Sequence, residues 1–122
     1  MNDIRAKRDL APFQADSRLT EIARGHTRDM LAHGYFGHTS PTAGTVKDRF
    51  DKAKYGWQAY GENIGRHRGV YATILGLMKS PGHRKILLSP KFTHLGIGLE
   101  LTRNGSGTIT SCTMTQDFAV PK

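Results

Sequence analysis

The sequence predicts a single α+β domain in which helices cover an antiparallel sheet, and three observations predict it. Apolar residues in the first half recur at three- and four-residue steps, the period of an amphipathic helix. A middle stretch alternates with a period of two, and the last thirty or so positions form two β-rich runs joined by the turn signal "NGSG". Length agrees, since 122 residues suit one core and are too few for two ordinary domains.

Residues 2–10 read as a short helix capped by Asn2 or Asp3, with Ile4 and Leu10 as apolar contacts, and Pro12 ends it. Asp16 or Ser17 then caps a longer helix in "DSRLTEIARGHTRDMLAHG", where Leu19, Ile22, Ala23, His26 and Met30 share one stripe and Gly34 is the stop. His26 lies on that apolar stripe and reads as a buried histidine with one or two hydrogen bonds, not as a ligand. "YFGHTSPTAG" is a loop carrying His38, and "TVKDRFDKAKYG" forms another amphipathic helix through Val46, Phe50 and Ala53.

In "WQAYGENIG" Trp57, Ala59, Gly61 and Asn63 fall on one side and Gln58, Tyr60, Glu62 and Ile64 on the other, as in a strand. "VYATILGLMK" is apolar around most of its circumference and is expected to pack deep against the sheet. "SPGHRKILL" begins a helix, with Ser80 as cap and Pro81 at the first helical position. "HLGIGLELTR" and "TITSCTMTQDFAV" complete the chain as a hairpin.

Composition excludes several classes. The hydrophobic fraction of 37% and charged fraction of 23% are those of a globular protein, and no apolar run approaches the roughly 20 residues of a membrane helix. "MNDIRAKRDL" is charged from its third residue and lacks the apolar centre of a signal peptide. Cys112 is the one cysteine, which rules out an internal disulfide and a cysteine zinc knuckle, and it reads as a small packed side chain. Eighteen Lys and Arg against ten Asp and Glu give +8, which favours acidic partners: nucleic acid, anionic lipid or an anionic envelope polymer. Nucleic acid is disfavoured, because no aromatic-rich basic strand and no densely basic helix face is present.

Three residues stand outside the apolar periodicity beside glycines: His38 in "FGHTS", Glu62 in "GENI" and His83 in "SPGHR". Two imidazoles and a carboxylate can hold a divalent cation with open positions for water, or act as acid and base without metal. Ser80 as cap places His83 in a first helical turn, where the helix dipole disfavours the imidazolium and leaves the neutral ring that binds metal or accepts a proton. Asn63 offers two donors and an acceptor beside Glu62, suited to shaping a turn or orienting the acid. Arg66, His67, Arg68, Arg84 and Lys85 would rim the site if these segments converge. No HExxH, GxxxxGK[ST] or GxSxG occurs, so a helix-borne zinc protease, a P-loop nucleotide hydrolase and an elbow serine hydrolase lack their marks.

In this order, "LTEIARGHTRDMLAHGYFGHTSP", "GENIG", "SPGHRKILLSPKFTHLGIGLE" and "TQDFA" resemble the short microbial branch of the CAP superfamily, the SCP-like proteins, over nearly the whole chain. The resemblance implies a three-layer α-β-α sandwich with a mainly antiparallel sheet, and a central cleft lined by two histidines and two glutamates. By motif, His38 and His83 stand for the histidines and Glu62 for one glutamate. The second glutamate does not carry over, because the W-x-x-E pattern of longer members is replaced by "LMKS", with Leu77 and Ser80 at its two positions. What remains implies a ligand cleft of His38, Glu62, Asn63, Ser80 and His83, with at most a weakly held zinc or other divalent cation on His38 and His83. The resemblance also implies an exported or envelope-associated protein, whose cleft binds a cation or a small polar or lipid ligand. The rival is a metal-assisted hydrolase of peptide or envelope material with Glu62 as general base. An adhesin for anionic polymers, working through the basic rim alone, is a third reading.

Overall fold

The computed structural model describes all 122 residues. Its elements in chain order are α1 (Asn2–Ala6), β1 (Gln14–Ala15), α2 (Ser17–His33), α3 (Val46–Lys52), β2 (Trp57–His67), α4 (Val70–Lys79), α5 (Pro81–Leu87), β3 (His94–Arg103) and β4 (Ile109–Pro121). The four strands form one sheet in the order β1-β3-β4-β2, with β1 parallel to β3 and the other pairs antiparallel. Helices α2 and α3 cover one face and α4 and α5 the other, so the fold is the expected α+β sandwich in three layers.

The long helix α2 begins and ends where its sequence directs. Asp16 accepts the backbone N–H groups of Arg18 and Leu19, and Gly34, at φ 65°, closes the helix in the left-handed region. All five residues of the apolar stripe, Leu19, Ile22, Ala23, His26 and Met30, are buried. The helix lies directly on β3, because Gly96 and Gly98 present no side chain to it. A Cβ at Gly96 would overlap the backbone of Leu19 and Thr20, and one at Gly98 the backbone of Ala23 and Arg24. Thr27 seals the contact by donating to the Gly98 carbonyl at 2.9 Å.

Thr45 and Asp48 form a reciprocal capping box at the start of α3. Behind α2 and α3, Leu19, Ile22, Phe50, Tyr55 and Ala119 make one apolar cluster. On the opposite face Phe13, Leu77, Leu87, Phe92, Leu95, Cys112, Met114 and Phe118 make the other. The thiol of Cys112 is buried in that second cluster, as expected of a small packed side chain.

Two elements differ from expectation. The first helix stops at Ala6, short of Leu10, and its buried Arg5 turns inward and donates to the carbonyls of Ala11, Leu87 and Ser89, tying the N-terminal segment to the end of α5. Helix α4 does not pack deep. It spans the margin of a sheet of four strands and buries only Thr73 and Leu77, leaving Val70, Tyr71 and Leu75 exposed.

Candidate functional site

Glu62 lies in β2, the free edge of the sheet, paired with Asp117 of β4. Alternation along β2 turns its side chain toward α2 and α3, where it is only 1% exposed. A carboxylate there needs compensation, and α3 supplies it. Arg49 Nη1 donates to Oε2 at 2.7 Å and Nη2 to Oε1 at 3.0 Å, while Nη2 also grips the main-chain oxygen of His38 at 2.7 Å. One guanidinium therefore holds both the acid and the loop that carries His38.

His38 completes the arrangement by placing Nδ1 at 2.9 Å from Glu62 Oε1. An ionised carboxylate only accepts, so Nδ1 carries the hydrogen between them. The imidazole is 48% exposed, so the ring is within reach of a ligand. Burial pushes the Glu62 carboxyl up, but hydrogen bonds from His38, Asp117 and Arg49 together with the guanidinium charge outweigh it and hold the pKa at about 2.

Asp117 faces Glu62 across the strand pair, is fully buried, and neither of its oxygens receives a conventional donor. Burial, followed by the neighbouring Glu62 charge, raises its pKa well above the usual carboxylate range, against the pull of Arg49. The neutral form of Asp117 is thereby favoured, which lessens the repulsion between the two carboxyl groups opposite Arg49. His26, 3.8 Å from Glu62 Oε1 through Nε2, directs that nitrogen to the Gly37 carbonyl at 2.8 Å. Burial and the Arg49 charge lower its pKa and keep the ring neutral.

Asn63 points to the other face. Its amide donates to the main-chain oxygen of His83 at 3.1 Å and to Gln116 Oε1 at 3.3 Å, which fastens the first turn of α5 to β2. Ser80 is the N-cap residue of α5, as expected, but its hydroxyl makes no capping bond and pairs instead with His83 Nδ1 at 2.9 Å. His83 and Ser80 line a cleft of about 500 Å³ with Phe36, Arg66, His67 and Leu77. The loop that brings Phe36 to this cleft carries His38 two residues further on.

The structure joins His38 to Glu62, places Ser80 beside His83, and uses Asn63 to anchor the strand to the helix that bears His83. No group of three His, Cys, Asp or Glu side chains is arranged to hold a metal ion. Both Glu62 oxygens and His38 Nδ1 are engaged with protein donors, and a cation on Glu62 would face the Arg49 guanidinium. Glu62 is therefore unsuited as a ligand to a divalent metal. Sequence reasoning missed Arg49 and Asp117. Arg49 shares the i, i+3, i+4, i+7 face of Val46, Phe50 and Ala53, and that placement of a cation on an apolar stripe was the available signal.

Comparison with known proteins follows the same lines. A sequence model of the cysteine-rich secretory protein family, CAP, matches residues 1–114. YlbC of Bacillus subtilis, described as an uncharacterized membrane protein, is 40% identical over 100 residues, which are 81% of this chain and 29% of YlbC. The uncharacterized YkwD of the same organism is 38% identical over 98 residues, 80% of this chain and 38% of YkwD. The chain therefore spans well under half the length of the curated relatives it matches. The crystal structure of an extracellular protein containing an SCP domain from Bacillus anthracis aligns with a TM-score of 0.84 at 37% identity, covering 97% of this chain and 37% of that one. An outer surface protein of Borrelia burgdorferi aligns with a TM-score of 0.79 over 99% of this chain and 86% of its own, and at 17% identity it shares the fold.

Proposed function

The chain belongs to the CAP family of cysteine-rich secretory proteins, and from that premise we propose that it is a binding module working outside the cytoplasm or at the cell envelope, with no hydrolytic step of its own. Its ligand is a small polar group with an anionic part and an O–H or N–H donor. The anionic part meets Arg66, His67 and His83, while the donor meets Nε2 of His38. The observation that carries the reading is the saturation of Glu62. A general base is most effective with a pKa near the working pH and a lone pair free to take a proton. Glu62 has neither, being held ionised down to about pH 2 with both oxygens engaged by Arg49 and His38. Its role is to orient His38, as a carboxylate orients an imidazole through Nδ1. The matched extracellular SCP protein supports the location, and the net charge of +8 supports an anionic ligand.

The experiment is a two-dimensional NMR titration with glycerol 3-phosphate, run beside a zinc titration. Saturable shifts around Phe36, Arg66 and His83, weakened at least about tenfold in the His38→Ala, His83→Ala double variant and reduced by added salt, are expected. Equal binding by wild type and double variant would reject the cleft. Stoichiometric zinc binding that depends on both histidines would replace this reading with the metal one.

A further inference from the structure

Helix α4 leaves apolar surface in water. Of the six large hydrophobic side chains exposed on the molecule, three, Val70, Tyr71 and Leu75, belong to this ten-residue helix. Tyr71, Leu75 and Lys79 follow one another at four-residue steps, so they share the side opposite the buried Thr73 and Leu77. Tyr71 is 74% exposed and stands furthest into solvent. Single apolar residues on a surface need no explanation, but several on one helix face mark a surface that meets something apolar.

The charge around this face is a separate observation, and it has one sign. No Asp or Glu occurs between Glu62 and Glu100, a stretch that holds Arg66, Arg68, Lys79, Arg84, Lys85 and Lys91 and contains all of α4 and α5. The exposed Arg68 precedes the helix and the exposed Lys79 ends it. Past Lys79, a hollow of about 290 Å³ is lined by Lys79, Pro81, Arg84, Lys85 and Leu88, three cations with no carboxylate among them. The segment of α1, which Arg5 ties to the end of α5, adds Asp3 and Asp9 together with Lys7 and Arg8, so the sign is unchanged. The ion pairs of the chain lie elsewhere, which leaves Arg68, Lys79, Arg84 and Lys85 free for a partner.

Together the two observations select that partner. An anionic polymer or a nucleic acid would use the cations and leave Tyr71 and Leu75 in water. A second copy of the chain would cover the apolar face but set like charges against each other. An anionic bilayer satisfies both requirements. Aliphatic and aromatic side chains enter the boundary between headgroups and acyl chains, a level that suits tyrosine, while Lys and Arg stay among the phosphates.

We propose that the outer face of α4, with the basic hollow at its junction with α5, docks the protein on an anionic lipid bilayer. Tyr71 and Leu75 enter the headgroup region, and Arg68, Lys79, Arg84 and Lys85 lie against lipid phosphates. The surface is distinct from the histidine cleft, which Tyr71, Leu75, Arg84 and Lys85 do not line.

The test is co-sedimentation of the whole chain with vesicles of phosphatidylglycerol and phosphatidylcholine in equal parts, with phosphatidylcholine vesicles as the blank. Saturable binding to the anionic vesicles, weakened by added salt and absent from the blank, is expected. Tyr71→Ser with Leu75→Ser, and separately Lys79→Gln with Lys85→Gln, should each weaken it at least about tenfold with unchanged circular dichroism. Arg24→Gln with Lys52→Gln removes the same charge from exposed positions on the opposite layer and should weaken it less than about threefold. His38→Ala should leave it unchanged, and free glycerol 3-phosphate at matched ionic strength should not release the protein. Loss in His38→Ala, or release by that anion, would put the lipid headgroup in the histidine cleft and overturn the proposal. Absence of binding to the anionic vesicles overturns it, as does equal weakening by the Arg24, Lys52 pair. Binding that depends on Lys79 and Lys85 but not on Tyr71 and Leu75 would mark a charge-only surface for polymers, and a dimer that Leu75→Ser dissociates would mark a contact between copies; either result overturns it as well.

Discussion

Replacing Arg49 by methionine keeps most of the side-chain volume and removes the one cation facing a buried carboxylate. Three charge-assisted bonds are lost, two to Glu62 and one to the His38 carbonyl. Glu62 then sits ionised and 1% exposed with His38, His26 and Asp117 beside it and no guanidinium. Breaking a buried ion pair from one side costs about 3–5 kcal/mol, because the remaining charge is left uncompensated. The pKa of Glu62 sets the scale for all its partners together, His38, Asp117 and Arg49, net of burial. Its fall from 4.5 to about 2 in the folded state corresponds to roughly 3 kcal/mol, present above pH 4.5 and lost as pH drops through about 2. Urea unfolding at pH 7 followed by circular dichroism should therefore show Arg49→Met less stable by about 3 kcal/mol, a large share of the 5–15 kcal/mol typical of a domain. Adding Glu62→Gln removes the stranded charge, so the double variant should recover roughly 2 kcal/mol of that loss. A single-variant loss under about 1 kcal/mol, or strict additivity of the two changes, would refute the claim that Arg49 exists to hold Glu62.

Asp117 makes a prediction in the opposite pH direction. Its folded pKa is raised above 3.8, so its contribution is complete below that value and declines by about 1.4 kcal/mol per unit as pH rises toward the folded pKa. Below pH 6.5 the buried neutral His26 imposes the opposing slope. Denaturant midpoints followed upward from pH 4 should therefore decline for wild type relative to Asp117→Asn, which lacks the titrating group, and parallel curves would contradict the raised pKa of Asp117. Gly98→Ala should cost about 1–3 kcal/mol or more, since its Cβ would strike α2 backbone that cannot yield alone, and a melting temperature unchanged by that substitution would argue against the direct contact of α2 with β3.

The helical layer was legible because its period is local. Every apolar position assigned to the α2 stripe is buried, and Asp16 and Gly34 bound the helix as capping chemistry requires. The alternation in β2 likewise separates Glu62 from Asn63, and the two do face opposite layers. Strand β1 escaped notice because two residues carry no period, and it exists only through its parallel pairing with His94 and Leu95. The outward face of α4 was hidden for another reason. Composition records how apolar a helix is, but how much sheet lies beneath it depends on strand order. His38 and Glu62 could be named from their motifs, yet what Glu62 does depends on Arg49 and Asp117. Those partners lie 13 and 55 positions away, in a charged helix and a buried strand, and tertiary structure alone unites them.

The most direct measurement is the side-chain carboxyl 13C resonance of Glu62, followed from pH 2 to pH 8 with Glu62→Gln as the assignment control. A permanently ionised orienting acid predicts a shift that is flat above about pH 4 and moves only near the acid limit. An inflection between pH 5 and 7 would mark a proton-exchanging base at this position, and the binding-module account would give way to a catalytic one.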